Sequence, residues 1–299
     1  MNKNYLAQLS ANAAACAERL SLPLKNQVWR GMAGEFQGAG TGSSTDFQDH
    51  RSYTPGDDPR HINWQAYART GQYTMKLYRE EVSPVIDIIL DASESMFFDV
   101  EKSARVAELL YFVTKSARQS GAQTKIFFLK GDEARPLTME SISSHQWYHI
   151  CKEYQSPAEK ANAPLAINKL RFRPQAIRIF ISDLLFEGDP SIHMRQLAAN
   201  HGKVIILSPY LTKEAQPAWS GNYEFVDAES SSQHSHRIEK YSLDNYIKAY
   251  STHFSAWKNS ARKFNAVLSR IHADQKVDIL TAMSSDAVKS GAVVTLYPK

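Results

Sequence analysis

Short apolar runs that end in polar residues alternate with amphipathic stretches along most of the chain. The clearest run extends from Val85 to Leu90, is rich in β-branched residues and is followed by Asp91. Such runs are typical of parallel strands that are covered on both faces. The next stretch repeats apolar residues at helical spacing from Val106 to Ala117, which predicts a helix. This alternation predicts a doubly wound α/β domain with a mainly parallel sheet.

The same patterning predicts the other elements. The amphipathic pattern of residues 4–21 predicts a helix that ends before Pro23. Apolar residues at steps of three or four predict one long helix from Ser242 to Ile271. The glycine-rich residues 31–44 predict a connector, because they lack the strand and the Gly-Lys-Ser/Thr sequence of a phosphate loop. Further strands are predicted at residues 72–79, 124–129, 177–182, 204–208, 223–226, 277–280 and 292–297.

Composition narrows the class of protein. With 299 residues, of which 43% are apolar, the chain can bury a substantial core. No stretch approaches the roughly 20 apolar residues of a membrane span, so a cytoplasmic location is the default expectation. Cys16 and Cys151 are too few for a disulfide framework. The net charge of +4 gives no argument for binding nucleic acid or membrane.

Oxygen-bearing side chains follow two of the predicted strands. Asp91, Ser93 and Ser95 come directly after the first strand, and Asp183 follows the strand at 177–182. Side chains beyond the carboxyl ends of parallel strands point into the crevice where open α/β sheets bind ligands. An all-oxygen set suits Mg²⁺ rather than zinc. The alternative is that Asp and Ser cap the helix that begins near Val100.

A second motif precedes the first strand of the sheet. Asp58 is a predicted N-cap before Pro59. Basic and aromatic residues are interleaved here as they are on surfaces that stack single-stranded nucleic acid. The alternative is a structural role in which Arg51 or Arg60 pairs with Asp57 or Asp58, and the small net charge favours it. The motif comprises Arg51, Tyr53, Gly56, Asp57, Asp58, Arg60, Trp64 and Arg69.

The string from Arg51 to Trp64, followed by Ala68-Arg-Thr-Gly71 and by Asp91-x-Ser93-x-Ser95, closely resembles the domain-of-unknown-function family fifty-eight. Its members are bacterial relatives of von Willebrand factor A domains. The resemblance extends from about Gly31 to the C-terminus and implies a small β-containing element over residues 24–83 and a von Willebrand factor A-like domain over residues 84–299. The amphipathic N-terminal helix, predicted from the pattern alone, precedes them in residues 1–23.

The resemblance also implies a metal-ion-dependent adhesion site. Asp91, Ser93 and Ser95 match its first motif, and Asp183 matches its later Asp. Open coordination positions on a Mg²⁺ ion would accept a carboxylate from an acidic residue of a partner. The family of A-type domains adds a Thr from an intermediate loop, but residues 162–168 contain none and Thr138 lies far upstream. The sequence is therefore compatible both with a site that holds a metal ion and with one that is empty.

Family resemblance further implies a function without catalysis. The related proteins are encoded beside MoxR-type AAA+ ATPases, so an adaptor role with such an ATPase in the assembly or maturation of other proteins is expected. A metal-dependent phosphoesterase is the enzymatic alternative, because haloacid-dehalogenase-type enzymes also carry an Asp at a strand end. Their acid/base Asp two positions later is replaced here by Ser93.

His145 and His149 have the spacing of a zinc-binding helix, but Gln146 stands where a catalytic Glu is needed.

Overall fold

The computed structural model describes residues 1–24, 47–78, 84–154, 165–228 and 232–296. They fall into two compact units. The larger unit combines Met1–Leu24 with Pro84–Lys299, and the smaller unit is Lys25–Ser83. The residues before the small unit thus belong to the larger one, and the glycine-rich residues 31–44 lie outside the described ranges.

Twelve strands occur in the described residues. They are β1 (Leu20–Ser21), β2 (Phe47–Ser52), β3 (Thr74–Tyr78), β4 (Val85–Asp91), β5 (Gln123–Lys130), β6 (Glu133–Leu137), β7 (Ile177–Ile181), β8 (Lys203–Tyr210), β9 (Gly221–Val226), β10 (Gln233–Ile238), β11 (Val267–His272) and β12 (Val294–Thr295).

The helices of the described residues are mostly in the larger unit. They are α1 (Lys3–Ala17), α2 (Trp64–Thr70), α3 (Glu94–Phe97), α4 (Val100–Gln119), α5 (Met139–Ser143), α6 (Trp147–Glu153), α7 (Pro190–Leu197), α8 (Thr212–Ala215), α9 (Lys240–Lys263), α10 (Ile279–Ala282) and α11 (Val288–Ser290), with a π-helical stretch at Met283–Ala287. Three short 3-10 helices lie at Pro59–His61, Ile167–Lys169 and Ala199–His201. None of the helices in these ranges has the length and hydropathy that a membrane crossing requires.

A six-stranded sheet forms the centre of the larger unit. Its strand order is β11-β8-β7-β4-β5-β6, and every neighbouring pair is parallel except β5 and β6. The inner strands β4 and β7 are buried along nearly their whole length, as expected for strands covered on both faces. The prediction of an α/β fold with a mainly parallel sheet is confirmed.

The chain reverses its direction across the sheet between β4 and β7. From β4 the chain passes through α4 to β5 on one side, and from β7 it passes through α7 to β8 on the other. Such a switch point opens a crevice beyond the carboxyl ends of the two strands, where α/β sheets commonly bind ligands. Asp91 ends β4 and Asp183 follows β7, so both lie at this crevice.

The N-terminal helix α1 covers α4. Its apolar stripe of Leu6, Leu9 and Ala13 is buried, and the Asn12 amide donates a hydrogen bond of 3.3 Å to Glu108 of α4. At the other end of the contact, Gln119 donates to Glu18 over 3.0 Å. The sequence predicted a helix over residues 4–21, and the prediction extends four residues too far, since the helix ends at Ala17.

The region after α9 corrects two sequence predictions. The long helix ends at Lys263, and the segment up to His272 is the edge strand β11 rather than more helix. Asn265 adopts a left-handed φ of 52°, which stops the helix. The strand predicted at 277–280 is also wrong, because Asp278 caps the helix α10 there.

Two predicted strands of the larger unit lie outside its central sheet. β9 pairs with β10 in an antiparallel hairpin, and β12 pairs with β1. The antiparallel edge strand β6 was not predicted.

The small unit is built on an antiparallel pair of strands. β2 pairs with β3, and a 3-10 turn and the helix α2 connect them. Asp58 caps the 3-10 turn through the Arg60 amide, as the sequence predicted. Gly71 ends α2 in the left-handed conformation with φ of 68°, which glycine adopts without steric cost.

Candidate functional site

Asp91 and the two serines form one hydrogen-bonded group where β4 ends. Asp91 is fully buried; its Oδ1 accepts the Ser93 amide at 3.0 Å, and its Oδ2 accepts the Ser182 hydroxyl at 2.6 Å. The hydroxyl oxygens of Ser93 and Ser95 lie 3.1 Å apart. The three residues singled out after this strand therefore converge, and Ser182 joins them from the end of β7.

Asp183 is held by a different set of partners. Its Oδ1 accepts the Leu185 amide at 3.1 Å, and its Oδ2 lies 2.7 Å from the Lys102 ammonium. The intervening Leu184 is buried with a left-handed φ of 61°, an uncommon conformation for a bulky residue. The chain turns sharply after β7 and presents the Asp183 carboxylate to α4.

Lys102 and Glu214 complete the site, and neither was predicted from the sequence. The Lys102 side chain is 1% exposed, and its ammonium contacts Glu214 over 3.0 Å as well as Asp183. Burial alone lowers the pKa of a lysine, but the two carboxylates outweigh it and raise the pKa of Lys102. A permanent positive charge therefore lies inside the crevice.

Among the described residues, no cationic side chain contributes to the stabilisation of the Asp91 charge. Burial, followed by repulsion from Asp183, raises the pKa of Asp91 to about 7. The hydrogen bonds from Ser182 and Ser93 offset this shift only in part. The fold therefore favours the protonated form of Asp91 more than water does.

Helix capping does not account for these residues. The helix α4 is capped by Asp99, whose carboxylate accepts the amides of Glu101 and Lys102. Ser93 occupies the position before α3 but makes no side-chain capping bond. The capping alternative is therefore wrong for Asp91 and Ser93, and their convergence has another cause.

Only half of the predicted ligand set has the geometry of a Mg²⁺ site. Adjacent ligands of an octahedral Mg²⁺ lie about 3.0 Å apart, which the Ser93 and Ser95 hydroxyls match. At Asp183, in contrast, the Lys102 ammonium lies 2.7 Å from Oδ2, so a cation already stands where a metal ion would bind this carboxylate. Within the described residues, no three His, Cys, Asp or Glu side chains group as metal ligands. The arrangement does not fit a resident Mg²⁺.

Thr138 does not supply the missing ligand. β6 runs antiparallel to β5, which brings Leu137 level with Ile88 of β4. Thr138 therefore lies about 13 Å from Asp91 along the strand direction, toward the opposite edge of the sheet. Its hydroxyl accepts the Ser141 amide at 3.1 Å as the cap of α5. Residues 162–164 of the matching loop region lie outside the described residues.

The rim of the crevice is apolar and exposed. Phe98 and Val100, which follow β4, are 70% and 68% exposed, and Leu185, which follows β7, is 43% exposed. All three follow strands that end at the same edge of the sheet, and exposed apolar side chains at a ligand-binding edge can contribute to a protein-binding surface. We refer to these three residues as the rim.

In the small unit, two of the three arginines of the sequence motif, Arg51 and Arg60, are paired with aspartates. Arg51 binds Asp57 through two bonds of 2.7 and 2.5 Å, and this pairing lowers the pKa of the Asp57 carboxyl. Arg60 binds Asp58 at 2.6 Å, and hydrogen bonds from Arg60 lower the pKa of Asp58 to about 2. Gly56 has a φ of 108°, so the turn that positions Asp57 requires glycine. Such pairing reduces the positive charge that phosphate binding needs.

The aromatic residues of the motif, Tyr53 and Trp64, pack with two further tyrosines of the small unit. Tyr67 and Tyr73 stack with their ring centres 4.4 Å apart, and Trp64 contacts both rings edge-on. Tyr53 contacts Tyr73 over 6.1 Å. Trp64 is nevertheless 57% exposed, and Arg69 lies exposed in the last turn of α2. The motif thus combines internal pairing with an exposed aromatic face.

The pair His145 and His149 does not share a helix. His145 has a left-handed φ of 65° before α6 begins, and its Nδ1 lies 2.7 Å from the Tyr111 hydroxyl. His149 lies on α6 beside Glu153. This arrangement gives no support to the zinc alternative.

Comparison with known proteins gives one family and several relatives. A family described as "Protein of unknown function DUF58" matches residues 49–256. Uncharacterised proteins of Mycobacterium bovis and Mycobacterium tuberculosis are 23% identical over 277 residues, which cover 88% of this chain and 85% of theirs.

Two solved structures are similar at a lower level. BatB from Bacteroides thetaiotaomicron is 14% identical with a TM-score of 0.36, covering 70% of this chain and 98% of its own. An aerotolerance-related membrane protein from Bacteroides fragilis is 18% identical with a TM-score of 0.28, covering 61% and 99%.

Proposed function

The chain belongs to the DUF58 family, and from that premise we propose that its larger unit is a von Willebrand factor A-like module that binds a protein partner and has no catalytic activity. The sheet topology supports the A-type assignment. Five parallel strands and one antiparallel edge strand surround a switch point, and Asp91, Ser93, Ser95 and Asp183 lie at that point.

The observation that carries the proposal is the contrast between the buried carboxylates and the exposed rim. Asp91 is 0% exposed and both of its oxygens are bonded within the protein, so a substrate cannot reach it as it would reach a nucleophile. Asp183 is bound to Lys102 in the same way. The three rim side chains beside these carboxylates are apolar and exposed, and they suit a protein surface better than a phosphoester.

A MoxR-type AAA+ ATPase is the partner that we assign to this surface, in the cytoplasm and in the assembly or maturation of other proteins. The family resemblance in the motif from Arg51 to Trp64 and in Asp91-x-Ser93-x-Ser95 supports this assignment. An acidic residue of the partner would bind only if a Mg²⁺ ion were held at Asp91 and Asp183, so the proposed contact does not include one.

A binding experiment with matched surface variants tests the function. The purified cognate ATPase is titrated against the wild type, Phe98→Ser and Val100→Ser. Val294→Ser is the control, because Val294 is also an exposed valine but lies on β12, which pairs with β1. The bond between Glu18 and Gln119 sets that pair near the C-terminal end of α4, away from the rim.

We expect each rim variant to weaken binding at least about tenfold, as loss of an apolar anchor does at an interface, while the control binds like the wild type. Equal affinity of all three variants would assign the contact to another surface. No binding by the wild type would refute the ATPase as partner.

A further inference from the structure

One side-chain nitrogen joins three segments at the carboxyl edge of the sheet. Lys102 belongs to α4, which follows β4; Asp183 follows β7; and Glu214 lies on α8, which follows β8. The Lys102 ammonium contacts both carboxylates, at 2.7 and 3.0 Å. Since β8, β7 and β4 are neighbours in the sheet, a single cation ties together the exits of three adjacent strands.

Burial makes this cation necessary. The Asp183 side chain is 3% exposed, so its charge would be very costly without a counter-charge. In a metal site of the adhesion type, a divalent ion would provide that counter-charge between the strand exits. Here an ammonium at hydrogen-bonding distance provides it, and the protein itself carries that ammonium.

Other contacts hold Glu214 in place without an ion. Its Oε2 accepts the Leu211 amide at 3.0 Å, and the Tyr246 hydroxyl donates to its carbonyl at 2.9 Å. The adjacent Lys213 pairs with Asp99, the cap of α4. Glu214 is therefore positioned by α9 and by its own turn, and it presents Oε1 to Lys102.

We propose that Lys102 is the resident cation of this crevice, so that the larger unit assembles and binds without a metal ion, and that a divalent cation can take the site only when the ammonium is removed. The Ser93 and Ser95 hydroxyls, 3.1 Å apart, would be the other ligands of such a divalent cation, whose place at Asp183 the Lys102 ammonium takes. This inference concerns the ion and not the partner, so it stands or falls independently of the ATPase.

Divalent-ion binding and thermal unfolding test the proposal. Binding of Mn²⁺ and Mg²⁺ is measured by calorimetry, and the melting temperature is measured with EDTA and with millimolar Mg²⁺. We expect the wild type to bind neither ion and to melt at one temperature in all conditions. Lys102→Met should melt lower in EDTA and gain about 5 °C or more in Mg²⁺, because the ion replaces the lost counter-charge.

Lys213→Met is the matched control, since it removes an exposed lysine from the next salt bridge along the edge. It should respond to Mg²⁺ as little as the wild type does. The proposal would be overturned if Mg²⁺ raised and EDTA lowered the melting temperature of the wild type, and if Asp91→Asn abolished both effects. A folded Lys102→Met protein that melts at the wild-type temperature in EDTA would overturn it too.

The wild-type titrations decide the matter if Lys102→Met does not fold. Stoichiometric Mn²⁺ binding to the wild type at micromolar concentration would refute a resident ammonium, and absence of binding up to millimolar concentration would support it. The double variant Lys102→Met/Asp183→Asn removes both charges. We expect it to fold and to lack the Mg²⁺ response of the single variant.

Discussion

The Lys102 ammonium and the Asp183 carboxylate form a buried ion pair with 2.7 Å between Nζ and Oδ2, across 81 positions of sequence. Both side chains are at most 3% exposed. The pair connects the first turn of α4 to the turn after β7, which are the two segments that line the switch point of the sheet. Its charges therefore affect stability as well as the properties of the candidate site.

Loss of the lysine should strongly destabilise the larger unit. We expect Lys102→Met to lower the free energy of unfolding by about 3–5 kcal/mol in urea denaturation at neutral pH, because it leaves a buried carboxylate without its partner. Lys213→Met should cost less than about 1 kcal/mol, since Lys213 is largely exposed. In the double variant Lys102→Met/Asp183→Asn, the loss in free energy of unfolding should be smaller than the sum of the losses of its two single variants. Additive losses would contradict direct coupling.

Asp91→Asn should change how stability depends on pH. The pKa of Asp91 is raised from 3.8 to about 7 by burial and by Asp183. The protonated form is favoured in the fold, so its contribution is fully present below pH 3.8 and is lost as the pH rises through about 7. An uncharged Asn avoids this loss. Relative to the wild type, the variant should therefore gain up to about 4 kcal/mol between about pH 4 and pH 8.

Asp99→Asn is the control for this pH profile, because Asn retains the capping role at α4. Burial raises the pKa of Asp99, but the hydrogen bonds from Lys213 and from backbone amides outweigh it and lower the pKa. Its contribution is present above the ordinary pKa and is lost only at more acidic pH. Parallel wild-type and Asp91→Asn curves over the whole range would contradict the raised pKa.

Gly188→Ala should be more harmful than Gly121→Ala. Both glycines have a positive φ, of 126° and 64°, so both substitutions strain the backbone. At Gly121 an added Cβ meets nothing, whereas at Gly188 it would lie 2.4 Å from the Nε2 atom of buried His193. We expect an additional loss of about 1–3 kcal/mol at Gly188 in chemical denaturation. Equal losses at the two positions would mean that the His193 ring moves away freely.

The two arginine pairs of the small unit should differ in importance. Arg51 binds Asp57 through two bonds, and Asp57 also accepts the Thr54 amide at 2.8 Å. Arg60 is 86% exposed and binds the neighbouring Asp58. We expect Arg51→Ala to lower the melting temperature of the small unit and to make its turn susceptible to proteolysis. Arg60→Ala should change both much less, and the reverse order would refute a structural role for Arg51.

The central sheet and half of the site were predictable because local sequence determines them. β4 and β7 are covered on both faces, so they must be apolar, and the first polar residues after them mark their exits. Parallel neighbours end at the same edge, which brings Asp91 and Ser182 together. The same argument placed Asp183 at the crevice.

Lys102 and Glu214 were missed because their pairing depends on tertiary structure. One signal was present: a lysine in the first turn of a helix is opposed by the helix dipole, so its position needs an explanation.

The edge strand β11 was predicted as helix, because Leu268 and Ile271 continue the three-residue spacing of α9 and also fit a strand. Short apolar runs do not distinguish the two, and the left-handed Asn265 decided in favour of the strand.

The covering of α4 by α1 determines the order in which the chain can fold during synthesis. The bond between Asn12 and Glu108 joins residues 96 positions apart, and the entire small unit lies within that interval. When the ribosome has produced the small unit, α1 still has no α4 to pack against. The apolar stripe of α1 therefore stays unpacked while the whole small unit is being synthesised, and it can be buried only after α4 emerges.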